Sequence, residues 1–180
     1  MGVTKVAAMR ALVVYESMFG NTRAIAEAVA DGLREVGEAE VCEVASAPTT
    51  APDVDLVVVG GPTHAFGMTR SSTRQSAREQ APDGVVVSEA GGVREWLHAL
   101  PTATKHPCAA AFDTRVAPAR VPGSAAKGIA KRLRGKGFAV VVRPKTFWVS
   151  GTPGPLLDGE LDQARAWGRE VGRARISVGG

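Results

Sequence analysis

Val13-Val14-Tyr15-Glu16-Ser17-Met18-Phe19-Gly20-Asn21-Thr22, running on into Arg23-Ala24-Ile25-Ala26, is the stretch whose reading decides the fold. An apolar strand stops, a short loop follows, and a helix begins at once. A turn of this kind brings unpaired backbone N–H groups and the positive end of a helix dipole to one spot. It forms a seat for a phosphate without any cationic side chain. Ser17 and Thr22 add hydroxyl donors, and Gly20 lets the backbone approach closely. The plainer alternative is that Asn21 or Thr22 simply caps the helix.

Two further segments share this strand-then-loop form. Leu56-Val57-Val58-Val59 breaks into Gly60-Gly61-Pro62-Thr63-His64-Ala65-Phe66-Gly67, and Ala109-Ala110-Ala111-Phe112 leads into Asp113-Thr114-Arg115-Val116. Around them, strands and helices alternate along the chain. Strands are expected at 10–15, 40–44, 55–59, 107–112 and 138–142, with 146–149 resuming the last after Pro144. The third is nearly all aliphatic, as a strand covered on both faces should be. A helix over 22–36 presents Ile25, Val29, Leu33 and Val36 on one face and stops at Gly37. Further helices are expected over 69–79, 93–100, 124–135 with Ser124 as N-cap, and 157–173 with Leu161, Ala164, Trp167 and Val171 turned inward. Residues 85–92 read either as a loop or as a short strand. Five strands alternating with helices argue for an open parallel sheet with helices on both faces and right-handed crossovers.

The first segment resembles the FMN-phosphate loop of flavodoxins. Val13, Val14, Tyr15, Ser17, Gly20, Thr22, Ala26 and Val29 stand in that family's register. The loops at 62–67 and 113–116 fall where flavodoxin-like proteins contact the flavin ring. The resemblance implies a flavodoxin-like α/β/α sandwich with a five-stranded parallel sheet in the order 2-1-3-4-5; flavodoxin is itself the standard example of that order. It implies FMN as cofactor, with Ser17, Met18, Phe19, Gly20, Asn21 and Thr22 at the phosphate. Pro62, Thr63, His64, Ala65, Phe66 and Gly67 would lie on the inner side of the ring, and Asp113, Thr114, Arg115 and Val116 on its outer side or polar edge. The side chains of Met18 and Phe19 would cover the phosphate or face a partner. Flavodoxins commonly stack a Tyr on the outer face; the only Tyr here is Tyr15, in the first strand. Arg115 or Trp148 would then cover the ring, unless Trp148 belongs to the core or a strand edge.

The length of 180 residues suits one domain, expected over 10–176, with 1–9 as a loose tail. No aliphatic run approaches a membrane span and the amino end does not read as a signal peptide, so a cytoplasmic location and no membrane insertion are expected. Cys42 and Cys108 belong to no C-x-x-C pattern, and His64, His98 and His106 have no metal-ligand spacing, so no metal site is expected. The formal net charge is +4. Flavodoxins that carry electrons are typically acidic, so the docking role usual for that family is in question. No helix-turn-helix, zinc finger or aromatic platform accompanies the charge, which argues against nucleic acid. Lys127, Lys131, Arg132, Arg134 and Lys136 form a cationic cluster that is either a solvated helix face or a docking patch for an acidic partner. Arg70, Arg74 and Arg78 recur every four residues, as a wet face or as a reach toward a pyridine-nucleotide phosphate or an acidic partner.

No residue reads as a catalytic nucleophile. Three roles remain open: an electron carrier for a redox partner protein, an FMN-dependent reductase using a nicotinamide and a quinone-type acceptor, and an interaction module without flavin.

Overall fold

The computed structural model describes residues 8–50 and 53–178; most of the tail expected at 1–9 lies outside them. The first strand, β1 (Arg10–Tyr15), leads through the Ser17 loop into α1 (Asn21–Arg34). Then come β2 (Glu38–Glu43), β3 (Leu56–His64), the two-residue β4 (Gly67–Met68), α2 (Ser71–Gln80) and α3 (Val93–Ala99). The second half holds β5 (Cys108–Val116), α4 (Ala125–Gly135), β6 (Ala139–Val140), β7 (Lys145–Val149) and α5 (Glu160–Val178). Residues 85–92 form no strand and no helix.

The parallel sheet runs β2-β1-β3-β5, and both β6 and β7 pair with β5. One strand interrupted at Arg143-Pro144 thus fills the fifth position, and the order 2-1-3-4-5 expected for a flavodoxin-like α/β fold is met. A proline has no N–H for the ladder, which is why the pairing stops and restarts there. β4 folds back antiparallel on the end of β3.

Val13, Val14, Val57, Val58, Val59, Ala109, Ala110 and Ala111 have no solvent exposure. Helices α1 and α5 cover one face, and α3 and α4 the other. On the first face Phe112, Phe147 and Trp167 stand edge-to-face, each pair of ring centroids 6.1 Å apart. The space for this cluster comes from Gly60, where a β-carbon would lie 2.0 Å from the Phe112 ring. Leu161, expected on the buried face of α5, is 44% exposed. It sits in the first turn beside Glu160, which is the residue that turns inward there and accepts the Trp148 N–H at 2.9 Å, while Ala164, Trp167 and Val171 reach the core.

α1 and α5 touch backbone to backbone. A β-carbon on Gly32 would lie 2.0 Å from the Arg165 carbonyl oxygen, and one on Gly168 would lie 2.2 Å from that of Val29. Gly168→Ala is therefore expected to force the helices apart and lower the unfolding free energy by about 1–3 kcal/mol. Gly135→Ala, in the last position of α4 with nothing within 4 Å of the new methyl, is expected to raise it by about 0.5–1 kcal/mol. Chemical denaturation of the two variants checks both signs.

Candidate functional site

Because β1, β3, β5 and β7 are parallel, their carboxyl ends open at one edge of the sheet, where folds of this type bind ligands. A cleft of about 410 Å³ lies there, within the range of small-molecule sites. It brings together twelve of the sixteen residues expected from sequence. Ser17, Met18, Phe19, Asn21 and Thr22 form one wall, Pro62, Thr63, His64 and Ala65 a second, and Thr114, Arg115 and Val116 a third. Gly20, Phe66, Gly67 and Asp113 stand outside it.

The start of α1 is unusual in what it leaves unmade. Its N-cap is Gly20, in the left-handed region at φ 90°, with no capping side chain. Ala24 N–H bonds to the Gly20 carbonyl at 3.0 Å. Among the described residues, the amides of Met18, Phe19, Asn21, Thr22 and Arg23 have no acceptor. Neither Asn21 nor Thr22 caps the helix. The Asn21 side chain turns outward and donates to the Pro153 carbonyl at 3.2 Å, with Gly154 packed against it. The Thr22 hydroxyl meets that of Thr114 at 2.7 Å. Ser17 Oγ accepts the Gly20 N–H at 3.0 Å, which leaves its own proton to donate. The loop therefore presents a convergent set of donors and no acceptor charge.

This loop is held from below by residues that the sequence reading passed over. Ser88 is fully buried; its hydroxyl accepts the Ser17 N–H at 2.9 Å and its amide donates to the Ser17 carbonyl at 2.8 Å. Val87 N–H donates to the Met18 carbonyl at 3.0 Å. Segment 85–92 is thus a strap across the loop, with Val86 and Ser88 buried and Val85 and Val87 exposed. Glu16, 1% exposed, accepts from Val93 N–H at 2.8 Å and from the Thr69 hydroxyl. Arg74 in turn donates to Thr69 at 3.0 Å and clasps Glu95 with two bonds of 3.2 Å. A lone glutamate after a strand gave no signal of this; its partners lie 53 and 77 residues further on.

Several expectations are corrected. Residues 113–116 are not a loop: β5 continues through Val116, paired with β3 and β7. Asp113 is fully buried and faces away from the cleft, accepting from Thr63 at 2.8 Å, Ser124 at 2.7 Å and the Ala126 amide at 3.0 Å. It ties the amino end of α4 to β3. The Met18 side chain is buried with Ala77, Ala81 and Val86 at the cleft wall, and Phe19 packs on that cluster. Arg74 is not on a wet face, since it is spent on Glu95, and Arg78 is bonded to the Glu89 carbonyl. Trp148 is half-buried beside the cleft, whose wall at that point is Val149 and Thr152. From α2, Thr73, Ser76, Ala77 and Gln80 complete the lining; a polar helix following a strand carried no mark of this.

The 62–67 segment is a hairpin whose two turn residues, Ala65 and Phe66, both have positive φ, 27° and 77°. Such turns favour Asn-Gly, and two side chains held there store strain. The carbonyl of Phe66 rests on Gly123, where a β-carbon would lie 2.1 Å away. Phe66 itself projects outward, 67% exposed. His64 lies half-buried in the cleft wall against α2. Burial first, and the nearby Arg74 second, hold its imidazole below the ordinary range. At neutral pH it offers one N–H and one lone pair.

Comparison with known proteins places the chain. Residues 13–90 match the flavodoxin family model. A flavodoxin from the domain Archaea superposes with a TM-score of 0.61 at 19% identity, covering 93% of this chain and 99% of that one. Oxidised Flavodoxin 1 from Bacillus cereus gives 0.62 at 19% identity, over 91% and 97%. The flavodiiron protein from Giardia intestinalis gives 0.60 at 23% identity, over 95% of this chain and 37% of that longer one. Among curated proteins the sequence has no match. The family match spans residues 13–90, less than half of the chain, and these likenesses show a flavodoxin-like fold. FMN is the cofactor of that family.

The residues present fit such a group. The acceptor-less amides at the start of α1 suit a phosphate dianion, and the cleft beyond them is walled by Ala65, Ala77, Val116 and Val149, which suit an apolar ring. Among the described residues no cluster of His, Cys, Asp or Glu could hold a metal ion, and no helix is long and apolar enough to cross a membrane.

The Glu16 anchor yields a test of the site's framework. Burial, outweighing the bonds from Thr69 and Val93, holds its carboxyl above the ordinary range. The folded state therefore keeps a proton that the unfolded chain has already lost. That contribution to stability is complete below the ordinary carboxylate range and disappears as pH rises through the raised value. Glu16→Gln keeps an acceptor for Val93 and removes the titration. Denaturant unfolding at pH 5 and pH 8 is expected to show the variant gaining on the parent at the higher pH; an equal difference at both would contradict the buried-anion account.

Proposed function

We propose that the chain is an FMN-binding redox protein that exchanges electrons with a separate partner protein. The observation that carries this reading is the uncapped start of α1, its amides and the Ser17, Thr22 and Thr114 hydroxyls converging on one end of the cleft. FMN supplies one-electron or hydride chemistry when bound. The protein's share is to bind, orient and shield.

The amides of Met18, Phe19, Asn21, Thr22 and Arg23 hold the phosphate with the α1 dipole behind them. Ser17 donates its hydroxyl proton while its oxygen is fixed by Gly20. Thr22 and Thr114 share one proton between their oxygens, so one of the two keeps a second proton for the ligand. Pro62 to Ala65 and Thr114 to Val116 flank the ring and exclude water from its faces. Neutral His64 meets the polar edge with a donor or an acceptor as the ring requires. Asp113 and Gly20 serve as supports, and Phe66 and Gly67 shape the rim. The two free cysteines stand on β2 and β5, which do not adjoin, and this suits a reducing cytoplasmic setting.

A second reading, an FMN-dependent NAD(P)H:quinone-type reductase, is favoured by one observation. No aromatic residue lines the wall formed by Thr114, Arg115 and Val116, and Tyr15 is buried in β1. A ring left uncovered on that side is open to a small reductant. The flavin-free module is opposed by the same uncapped helix start.

The visible spectrum of the purified protein is expected to carry the two bands of oxidised flavin. Ser17→Ala combined with Thr22→Ala removes the charge-assisted bond from Ser17, worth about 1.5–3 kcal/mol, and breaks the Thr22–Thr114 pair that supplies the second hydroxyl donor. FMN titration is expected to show affinity weaker by about a hundredfold or more. Unchanged affinity would overturn the phosphate assignment. In stopped flow with NADH or NADPH, a carrier keeps its yellow colour, whereas rapid bleaching selects the reductase.

A further inference from the structure

The excess of positive over negative charge in this chain lies within one segment of it. From Trp96 to Leu157 the sequence has ten lysines and arginines against a single acid, Asp113, which is buried. The rest of the chain has twelve cations against seventeen acids. The ion pairs repeat the division. Those among the described residues all use Arg10, Arg23, Arg34, Arg74, Arg165, Arg169 or Arg175, none of which falls in the basic segment.

The basic segment forms β5, α4, β6 and β7, and so reaches the rim of the cleft. Beside the Ala65-Phe66 turn lies a groove bordered by Phe66, Arg94, Lys131 and Arg132. The Arg94 guanidinium is held there by two bonds, 2.9 Å to the Thr69 carbonyl and 2.8 Å to that of Met68. Burial first, and then the nearby Arg132 and Arg70, disfavour its charge. On the other flank of the same turn, Phe66 shares a second groove with Arg115, Val116, Arg120 and Val121. Phe66, Val116 and Val121 are 67%, 40% and 45% exposed. Apolar side chains thus sit at the centre and cations surround them, with Ala65 and Val116 common to this surface and to the cleft.

We propose that this face docks an acidic redox protein, with Phe66 at the centre of contact and Arg94, Lys131, Arg132 and Arg120 around it. The proposal rests on the electron-transfer reading above. A ring of one charge around an apolar centre steers an oppositely charged partner and then desolvates the contact. A protein partner is favoured over a polyanion because the cations flank a projecting phenyl ring at the rim of the cleft, where electrons must cross, and do not follow a continuous track.

The test uses the full, flavin-loaded chain, with an acidic [2Fe–2S] ferredoxin as probe and basic cytochrome c as its opposite, followed by calorimetry at low and moderate salt. Lys131→Glu combined with Arg132→Glu reverses the patch. Arg165→Glu combined with Arg173→Glu makes the same change in net charge on α5, away from it. Ferredoxin is expected to bind the parent, and to bind at least tenfold more weakly after the patch reversal and at higher salt. The α5 variant should retain at least half the parent's affinity, and cytochrome c should not bind. Phe66→Ala should weaken ferredoxin at least threefold without changing the salt slope. Indifference of ferredoxin to the patch reversal, preference for cytochrome c, or tighter patch-dependent binding of duplex DNA or anionic vesicles would each overturn the proposal. The flavin spectrum of every variant separates the two levels: a yellow protein that ignores ferredoxin refutes the docking face alone, and a colourless one refutes the functional reading with it.

Discussion

At the start of α1, amide groups that most helices satisfy with a capping side chain are left without an acceptor. This is costly in a folded protein unless water or a ligand meets them. Much of the surrounding structure keeps them that way. Gly20 adopts a conformation that a side chain would resist, Asn21 is drawn aside by the Pro153 carbonyl, and Thr22 is paired with Thr114. Each candidate cap has been given other work.

A loop so short of internal bonds needs its rigidity from elsewhere. It comes from Ser88 on one side and from the Glu16, Thr69, Arg74, Glu95 chain on the other. Burying Glu16 is expensive for an anion, and it is tolerated because Val93 and Thr69 both donate to it. The same residue links the loop to the amino end of α3, so the cleft wall and the second helical layer are set by one carboxylate. The rim is treated differently. There the Ala65-Phe66 turn stores strain in place of removing it, and Gly123 holds the turn from outside.

The fold was legible in the sequence because short β-branched runs bounded by turn residues, such as 56–59, alternate with helical periods and read as strands covered on both faces. The Ser17 to Thr22 loop was legible as well, since its chemistry is local. What could not be read was whatever depends on long-range pairing. Nothing in Asp113-Thr114-Arg115-Val116 announces that β7 will pair with it and keep it extended, or that Asp113 will turn toward α4. The strap at 85–92 looked featureless because its meaning lies in Ser17, some seventy residues earlier. Leu161 fits a helical stripe, but a periodicity does not say that its neighbour Glu160 will take the inward place, bonded to Trp148.

The contact of Gly32 and Val29 with Arg165 and Gly168 has a consequence for how the molecule is made. α1 is synthesised well before α5. Until α5 arrives, α1 rests on the sheet alone and its flank at Val29 and Gly32 has nothing to lie against. A nascent chain that has not yet made α5 therefore lacks one support of the pocket, and ligand capture waits on a helix made more than a hundred residues after the loop.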